Sequence, residues 1–386
     1  MSAGATERDI AVVGAGPVGL AAALVLADAG YRVALIAPAP AAPDRRTSAL
    51  LAGSVALLER LGVWTELVRE AAPLRTMRIV DGTRRLIRAP EVAFDASEID
   101  LAAFGYNVAN RSLIAALERA LAGRAITRVD SMAESAAIDG EHIEIVTADG
   151  RAIAARLGVA ADGRRSRLRD AAGIGIETWE YDQAALVCNL HHPEPHHDTS
   201  TEFHTEHGPF TLVPFGANRS SLVWVDRPDE VRRRHHLPDA ELSREIEERS
   251  ASILGTTMID GERQIFPLGG LTADAFAANR VMLAGEAAHL FPPIGAQGLN
   301  LGFRDVAALG EVLAGPLSDP GAPDRLSAYD AARRPDILSR TVAVDALNRT
   351  LLSGFLPVQA VRGLGLFLVN RVPPLRRFAM RQGLGM

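Results

Sequence analysis

Ile10-Ala11-Val12-Val13-Gly14-Ala15-Gly16-Pro17-Val18-Gly19 is a short apolar run that breaks into a glycine turn. The run suits a strand buried in a parallel sheet. Val18 to Ala29 is rich in Ala and Leu and stops at Gly30, which reads as a helix with a C-terminal glycine cap. Arg32 to Ile36 then reads as a second strand, completing a βαβ unit with its glycine loop at the first turn. In such a loop Gly14 permits the tight turn, Gly16 lets backbone approach a diphosphate, and Gly19 lets helix and strand pack closely. The helix beginning at Pro17 favours negative charge at its N-terminus. A carboxylate normally ends the second strand, about 20 residues on, to hold a ribose hydroxyl. Ala37 occupies that place, so the adenosine must be anchored by backbone or by another side chain.

Outward from this unit, Ser54–Trp64 carries an amphipathic helix stopped by Gly62, and Ser112–Leu121 a further helix. Met77–Ala93 and Glu141–Ala148 alternate like strands. From Ala184 to Pro267 short β-like runs (Ala185–Asn189, Phe210–Pro214, Ser221–Val225) are divided by Pro, Gly and His, as in a mainly antiparallel sheet. Val281–Ala284 is again a buried strand, and Leu299–Leu313 a helix. The fold expectation is α/β, with a Rossmann-like nucleotide-binding domain, an interleaved antiparallel β-sheet substrate domain and a C-terminal helical segment. The first is assigned residues 1–76, 99–178 and 277–345, the second 77–98 and 179–276, and the third 346–386.

The chain has 386 residues, a length that fits about two domains. Apolar residues make up 48% and charged residues 23%, as in a globular protein. Net charge is -6 and no basic run is long enough for nucleic acid. All 41 basic residues are arginine, which excludes Schiff-base chemistry and a P-loop lysine. The single cysteine, Cys188, excludes an internal disulfide and a multi-cysteine zinc site. No charged-then-apolar leader precedes Ile10, and Val18–Ala27 falls short of the ~18 residues of a membrane span, so the expected compartment is the cytoplasm.

A second loop follows the strand at Val281: Gly285-Glu286-Ala287-Ala288-His289-Leu290-Phe291-Pro292-Pro293-Ile294-Gly295-Ala296-Gln297-Gly298-Leu299-Asn300. Glu286 is a carboxylate at a strand end, within reach of a chain of sugar-like hydroxyls. Pro292-Pro293 makes a stiff wall. Gly295 and Gly298 open the backbone where a helix begins, and its amides would face an anion such as the N1 edge of a reduced flavin. Two separated glycine loops meeting one long cofactor point to FAD. Asp162-Gly163, after the apolar run Leu157–Ala160, is a strand-end turn that also presents a carboxylate to a cofactor hydroxyl. Arg46 and Arg111 are candidates to flank the cofactor. The full cofactor set is Gly14, Gly16, Pro17, Gly19, Arg46, Arg111, Asp162, Gly285, Glu286, Pro292, Gly295, Gly298, Leu299 and Asn300. Pro293 and His289 are the candidate catalytic positions, although a histidine beside a cofactor loop is more often a structural hydrogen-bonding residue.

The Gly14 loop, Arg46-Thr47-Ser48-Ala49, Leu58–Trp64, Asn110-Arg111, Asp162-Gly163, the Gly285 loop and an arginine-rich tail recur together in one family. On these motifs the chain resembles the FAD-dependent aromatic hydroxylases of the para-hydroxybenzoate hydroxylase type. It is most similar to the ubiquinone-biosynthesis hydroxylases (2-octaprenyl-6-methoxyphenol hydroxylase type). It departs from them at Glu286, where the family usually has Asp, and at Ala37, where many members have Glu. The resemblance implies a monooxygenase in which NAD(P)H or another donor, such as a ferredoxin, reduces FAD. Dioxygen then forms a flavin C4a-hydroperoxide, and a hydroxyl passes to the ring of a polyprenylated phenol. Other readings are another FAD-dependent oxidoreductase (an aromatic-compound hydroxylase or a prenyl reductase) and a non-catalytic FAD-binding subunit of a biosynthetic complex. Halogenases of this fold need a lysine, which the chain lacks.

His191-His192-Pro193-Glu194-Pro195-His196-His197 could suggest a metal, but its prolines hold the pairs apart in a loop, and no metal is expected. From Ala346 to Met386 there is no acidic residue. Arg349, Arg362, Arg371, Arg376, Arg377 and Arg381 alternate there with apolar positions such as Leu364, Phe367 and Leu368. The segment reads as a helical cap on the FAD domain. Its other reading is peripheral contact with an anionic inner membrane or a ubiquinone-biosynthesis complex.

Overall fold

The opening βαβ unit forms as the glycine spacing predicts. β1 is Thr6–Val13, α1 is Pro17–Asp28 and β2 is Val33–Ile36. Pro17 opens α1 at a position where its missing N–H costs nothing, and Gly30 ends the turn beyond it at φ +93°. The computed structural model describes residues 6–39, 44, 46–83, 88–292, 297–352 and 371–384. Pro293 and Gly295 of the second glycine loop lie outside the described residues, as do Arg362, Leu364, Phe367 and Leu368 of the tail.

β1 lies at the middle of a parallel sheet. It pairs with β2 on one side and with Ala152–Ala160 on the other. β2 pairs in turn with Ile126–Val129, and Ala152–Ala160 with Val281–Leu283, all parallel. Strands buried on both faces need continuous apolar sequence, and Ile10–Val13, Val33–Ile36 and Val281–Leu283 supply it. α1 packs between this sheet and the helix Gln297–Leu313, which explains why Leu20–Leu24 and Leu26 are buried around most of its circumference.

The second sheet runs in the order His289–Leu290, Met258–Ala273, Ile176–His191, Arg219–Asp226, Gly208–Pro214, Thr199–Thr205, Thr76–Asp81, Val92–Asp95. Every neighbouring pair is antiparallel except Thr199–Thr205 with Thr76–Asp81. Two of its strands are 16 residues long, where the sequence shows only short runs. Register shifts between Glu180 and Ala184 and between Val187 and Asn189 interrupt the ladder between the two.

One face of this sheet is covered by the helices Pro228–His236 and Asp239–Arg249. Their Val231, Leu242 and Ile246 pack on Leu186, Phe210 and Trp224. The opposite face turns toward the nucleotide-binding side. A three-stranded antiparallel sheet (Thr47–Leu51, Gly105–Ala109, Ala72–Leu74) joins it there. Thr47 Oγ1 donates to Ser221 Oγ at 2.8 Å, and Asn107 Nδ2 to the Pro214 carbonyl at 2.9 Å. The helix Pro323–Leu352 crosses the same side and ties to it through Tyr181 and Asp345 (2.8 Å). The last helix, Pro373–Leu384, buries Met380 and Leu384 against Leu51, Ile99 and Phe104, and Arg376 pairs with Glu98.

Candidate cofactor and active site

Register brings the loops together. Val13 stands opposite both Ile36 and Ala160, and Ala160 opposite Leu283. The chain therefore leaves the sheet at Gly14, Ala161 and Ala284 side by side along its carboxyl edge. Ladder bonds continue one step further, with Ala161 N–H donating to the Val13 carbonyl (2.8 Å) and Ala284 N–H to the Ala160 carbonyl (2.9 Å). Open parallel sheets bind ligands along this edge.

Sterics explain the first loop. Gly14 has φ +107°, and a Cβ there would lie 2.1 Å from the Ala161 carbonyl oxygen. A Cβ on Gly19 would lie 2.0 Å from the Gly14 carbonyl oxygen. Both glycines are thus demanded by the protein itself. Gly16 differs: nothing lies within 4 Å of where its Cβ would be, and the residue is exposed. Its open space faces outward beside Pro17 at the start of α1, where backbone N–H groups await an anion.

Asp162 sits in the second exit. Its Oδ2 accepts the Arg167 N–H at 2.8 Å, while its Oδ1 is shielded from water and has no hydrogen-bond partner. Burial raises this carboxyl above its ordinary value, and the surrounding hydrogen bonds only partly oppose it. A shielded acceptor without a donor is expensive unless a ligand hydroxyl completes it. Seven residues on, buried Arg169 donates to the Ala287 carbonyl (3.1 Å) and the Arg164 carbonyl (3.0 Å), so it clasps the second exit to the third.

In the third exit Gly285 turns at φ +62°. Glu286 points outward and pairs with Arg164 at 3.1 Å, both half exposed. His289 points inward and is 1% exposed. Its Nε2 meets Asp305 Oδ2 at 2.7 Å, its ring stacks on Phe291, and its Nδ1 has no partner. That geometry favours the structural reading of His289. Pro292 is buried beside Phe291, and Gly298 is exposed at the start of the helix Gln297–Leu313. Leu299 packs on the core. The Asn300 side chain turns into the protein. Its Oδ1 accepts from Leu51 N–H (2.8 Å) and Ser54 Oγ (2.6 Å), and its Nδ2 donates to the Ala49 carbonyl (2.8 Å).

Arg46 and Arg111 stand near one another. Both line a cleft of about 190 Å³ between the three-stranded sheet and the second sheet, with Asn189, Phe215, Arg219 and Gln264. Arg46 is gripped by both oxygens of Asp44 (2.9 and 2.7 Å), which raises its guanidinium further, and it lies over the Phe266 ring. In the histidine-rich turn, His192 binds Glu194 and Ser220, and His196 the Gly216 carbonyl. These contacts brace the turn. Among the described residues no cluster of three His, Cys, Asp or Glu side chains could hold a metal.

Sequence reasoning missed Asp44, Arg169, Asp305 and Arg333. Asp305 did leave a signal: an acidic residue on the apolar face of an otherwise amphipathic helix must have a buried partner.

The residues fit FAD: an open glycine for a diphosphate at one exit, a shielded unpaired acceptor for a hydroxyl at the next, and a glycine turn before a helix at the third. A model of the FAD binding domain family matches residues 7–342. The chain is 36% identical to the ubiquinone hydroxylase UbiL of Rhodospirillum rubrum, over 98% of this chain and 89% of that one. It is 33% identical to the 3-demethoxyubiquinol 3-hydroxylase of Escherichia coli strain K12, over 98% of each. The crystal structure of p-nitrophenol 4-monooxygenase PnpA from Pseudomonas putida DLL-E4 shares the fold, with a TM-score of 0.81 at 22% identity and 98% of both chains covered. With the FAD-binding architecture and these full-length relatives in agreement, the chain belongs to the FAD-dependent monooxygenases, in the ubiquinone-biosynthesis hydroxylase family.

Proposed function

We propose that the chain hydroxylates the aromatic ring of a polyprenylated phenol, using dioxygen and electrons from NAD(P)H. The observation that carries the cofactor half of this reading is the unpaired, shielded Oδ1 of Asp162 beside the open backbone of Gly16. Bound FAD would supply the electron transfer and the activation of oxygen. The chain's own residues hold it: the amides after Gly14 and Gly16 take the diphosphate, Asp162 accepts a hydroxyl, and Arg46 and Arg111 flank it. Gly285, Glu286, Pro292, Pro293, Gly295, Gly298, Leu299 and Asn300 form the flavin end, Asn300 by bracing the helix start from within. Pro293 and His289 are the catalytic candidates of this scheme, His289 the weaker of the two because its ring is held by Asp305 and Phe291.

The substrate half is supported by the activities of the relatives and by the inner face of the second sheet. Ala185, Val187, Val223, Val225 and Leu268 make that face apolar. A dry wall of this kind would orient an aromatic ring and exclude water. The domain division at 76/77, 98/99, 178/179, 276/277 and 345/346 is part of the proposal.

Peripheral membrane contact is proposed on the same footing. Leu338, Val342, Val372, Leu375 and Phe378 are exposed, and Arg377 and Arg381 are exposed on the last helix. Exposed apolar side chains accompanied by arginines suit an anionic bilayer. No helix of the described residues is long and apolar enough to cross one.

The test is the visible spectrum of the purified protein, repeated after anaerobic NADPH with and without a prenylated phenol. Flavin bands that bleach with NADPH, return with air and yield hydroxylated phenol support the proposal. Bound flavin that cycles without oxygen insertion would favour a reductase. A folded protein that takes up no FAD would overturn it.

A further inference from the structure

Asp305 lies in the middle of the helix Gln297–Leu313 and is 0% exposed, yet its side-chain hydrogen bonds reach other elements. Its Oδ2 accepts the backbone N–H of Gly285 at 2.9 Å and meets His289 Nε2 at 2.7 Å. Its Oδ1 accepts Arg333 Nε at 2.7 Å. Arg333 continues to Asp336 (3.0 Å), and Asp336 accepts Arg304 (3.1 Å) and Arg340 (2.8 Å). Arg340 NH1 reaches Gln297 Oε1 at 2.8 Å, at the far end of the same glycine loop. One chain of charged side chains, buried at Asp305 and Arg333 and partly exposed beyond them, therefore grips the loop at its first residue, at its histidine and at the helix start.

We infer that Asp305 is a positioning residue for the cofactor, holding the Gly285 turn in its binding conformation before FAD arrives. The inference rests on the reading that this loop receives FAD. A carboxylate is the group that fits: three neighbours converge on two acceptor oxygens, and at least the Gly285 N–H and the Arg333 Nε–H can only donate. Asparagine offers one acceptor oxygen and one NH₂ group, so one of those two donors would face another donor. Arg333 places the opposite charge 2.7 Å from this fully buried carboxyl group.

The wild-type protein is titrated with FAD first; no uptake would defeat the cofactor reading itself. Asp305→Asn and the milder Arg333→Lys are then compared with Asp226→Asn. Asp226 is an equally buried carboxylate, paired with Arg234 at 2.8 Å in the second sheet. All three variants should melt earlier. Only the first two should weaken FAD binding, by tenfold or more for Asp305→Asn, and alter the visible circular dichroism of the flavin that remains bound. FAD affinity and flavin dichroism unchanged in Asp305→Asn and Arg333→Lys, or reduced equally by Asp226→Asn, would reduce Asp305 to a stability element. Hydrogen exchange on wild-type apoprotein gives a check free of folding defects. The Gly285 amide should already be protected without FAD; protection that arises only on adding FAD would overturn the inference.

Discussion

Gly16→Ala separates what the protein needs from what its ligand needs. Gly16 has φ -70° and ψ 175°, ordinary values for any L residue, and an added methyl meets nothing within 4 Å. Two small effects act on the apoprotein with opposite sign. Alanine reduces the freedom of the unfolded chain, a gain of about 0.4–1 kcal/mol. It is also the poorer N-cap for α1 by a comparable amount. The apoprotein should melt within about 2 °C of wild type. With a diphosphate pressed against this backbone, the same methyl overpacks the contact by about 1–3 kcal/mol. That is roughly a 5- to 150-fold loss of FAD affinity. The assay is fluorescence titration of apoprotein with FAD, alongside a melting curve without it. Gly14→Ala is the contrast: its Cβ would sit 2.1 Å from a carbonyl oxygen at φ +107°, so the apoprotein itself should melt early. An FAD affinity within twofold of wild type in Gly16→Ala would refute the placement of the diphosphate.

Asp162→Asn should move stability and binding in opposite directions. Burial raises the folded carboxyl, so the native state holds its proton to higher pH than the unfolded state, and stability falls as pH rises from about 3.8 through the folded value. Asparagine removes that loss, so the apoprotein at pH 7 should melt no earlier than wild type. FAD should bind about tenfold or more weakly, because an NH₂ now stands where a hydroxyl must donate; unchanged affinity would remove Asp162 from the site. For Asp336, burial alone would raise the carboxyl, but Arg340, Arg304 and Arg333 outweigh it and hold it below 3.8. Its contribution is complete above about 3.8 and is lost as pH falls through the folded value. The stability gap between wild type and Asp336→Asn in urea melts should therefore narrow on acidification below that point. Cys188 is buried and its thiol is pushed up to about 12 by that burial, so a thiol reagent at pH 8 should label it only after unfolding. Labelling of the native protein at the rate of the unfolded chain would contradict its placement.

The parts of the fold legible in the sequence are those whose cause is local. Gly14, Gly16 and Gly19 announce a turn and a close approach, and the structure supplies the atoms that explain two of them. The helices beginning near Val18, Ser54, Ser112 and Leu299 could be read from composition and from glycine stops. The long strands Ile176–His191 and Met258–Ala273 could not. Pro267, Gly269 and Gly270 interrupt the second, and the first opens with the largely exposed, mostly polar residues 176–182. The helices Pro228–His236 and Asp239–Arg249 were hidden by their charge, since their apolar contacts are few and partly replaced by Arg234 stacked on Trp224. Within the site, Asp162 was legible because Asp-Gly follows an apolar strand. Asp305 signalled only that a buried partner must exist; that the partner is Arg333 was not legible, because the pairing spans 28 residues and exists only once two helices pack.

The two 16-residue strands have a mechanical consequence. Paired along most of their length, they act as a stiff double beam, and bending it would break ladder hydrogen bonds that no other element replaces. Compliance is confined to the points where the ladder is already irregular, at Glu180–Ala184 and Val187–Asn189. A bulky molecule reaching the apolar inner face cannot be admitted by folding this sheet away. Passage falls to the helices and loops along its margins, and residues there, rather than in the sheet, should set how quickly large molecules enter and leave.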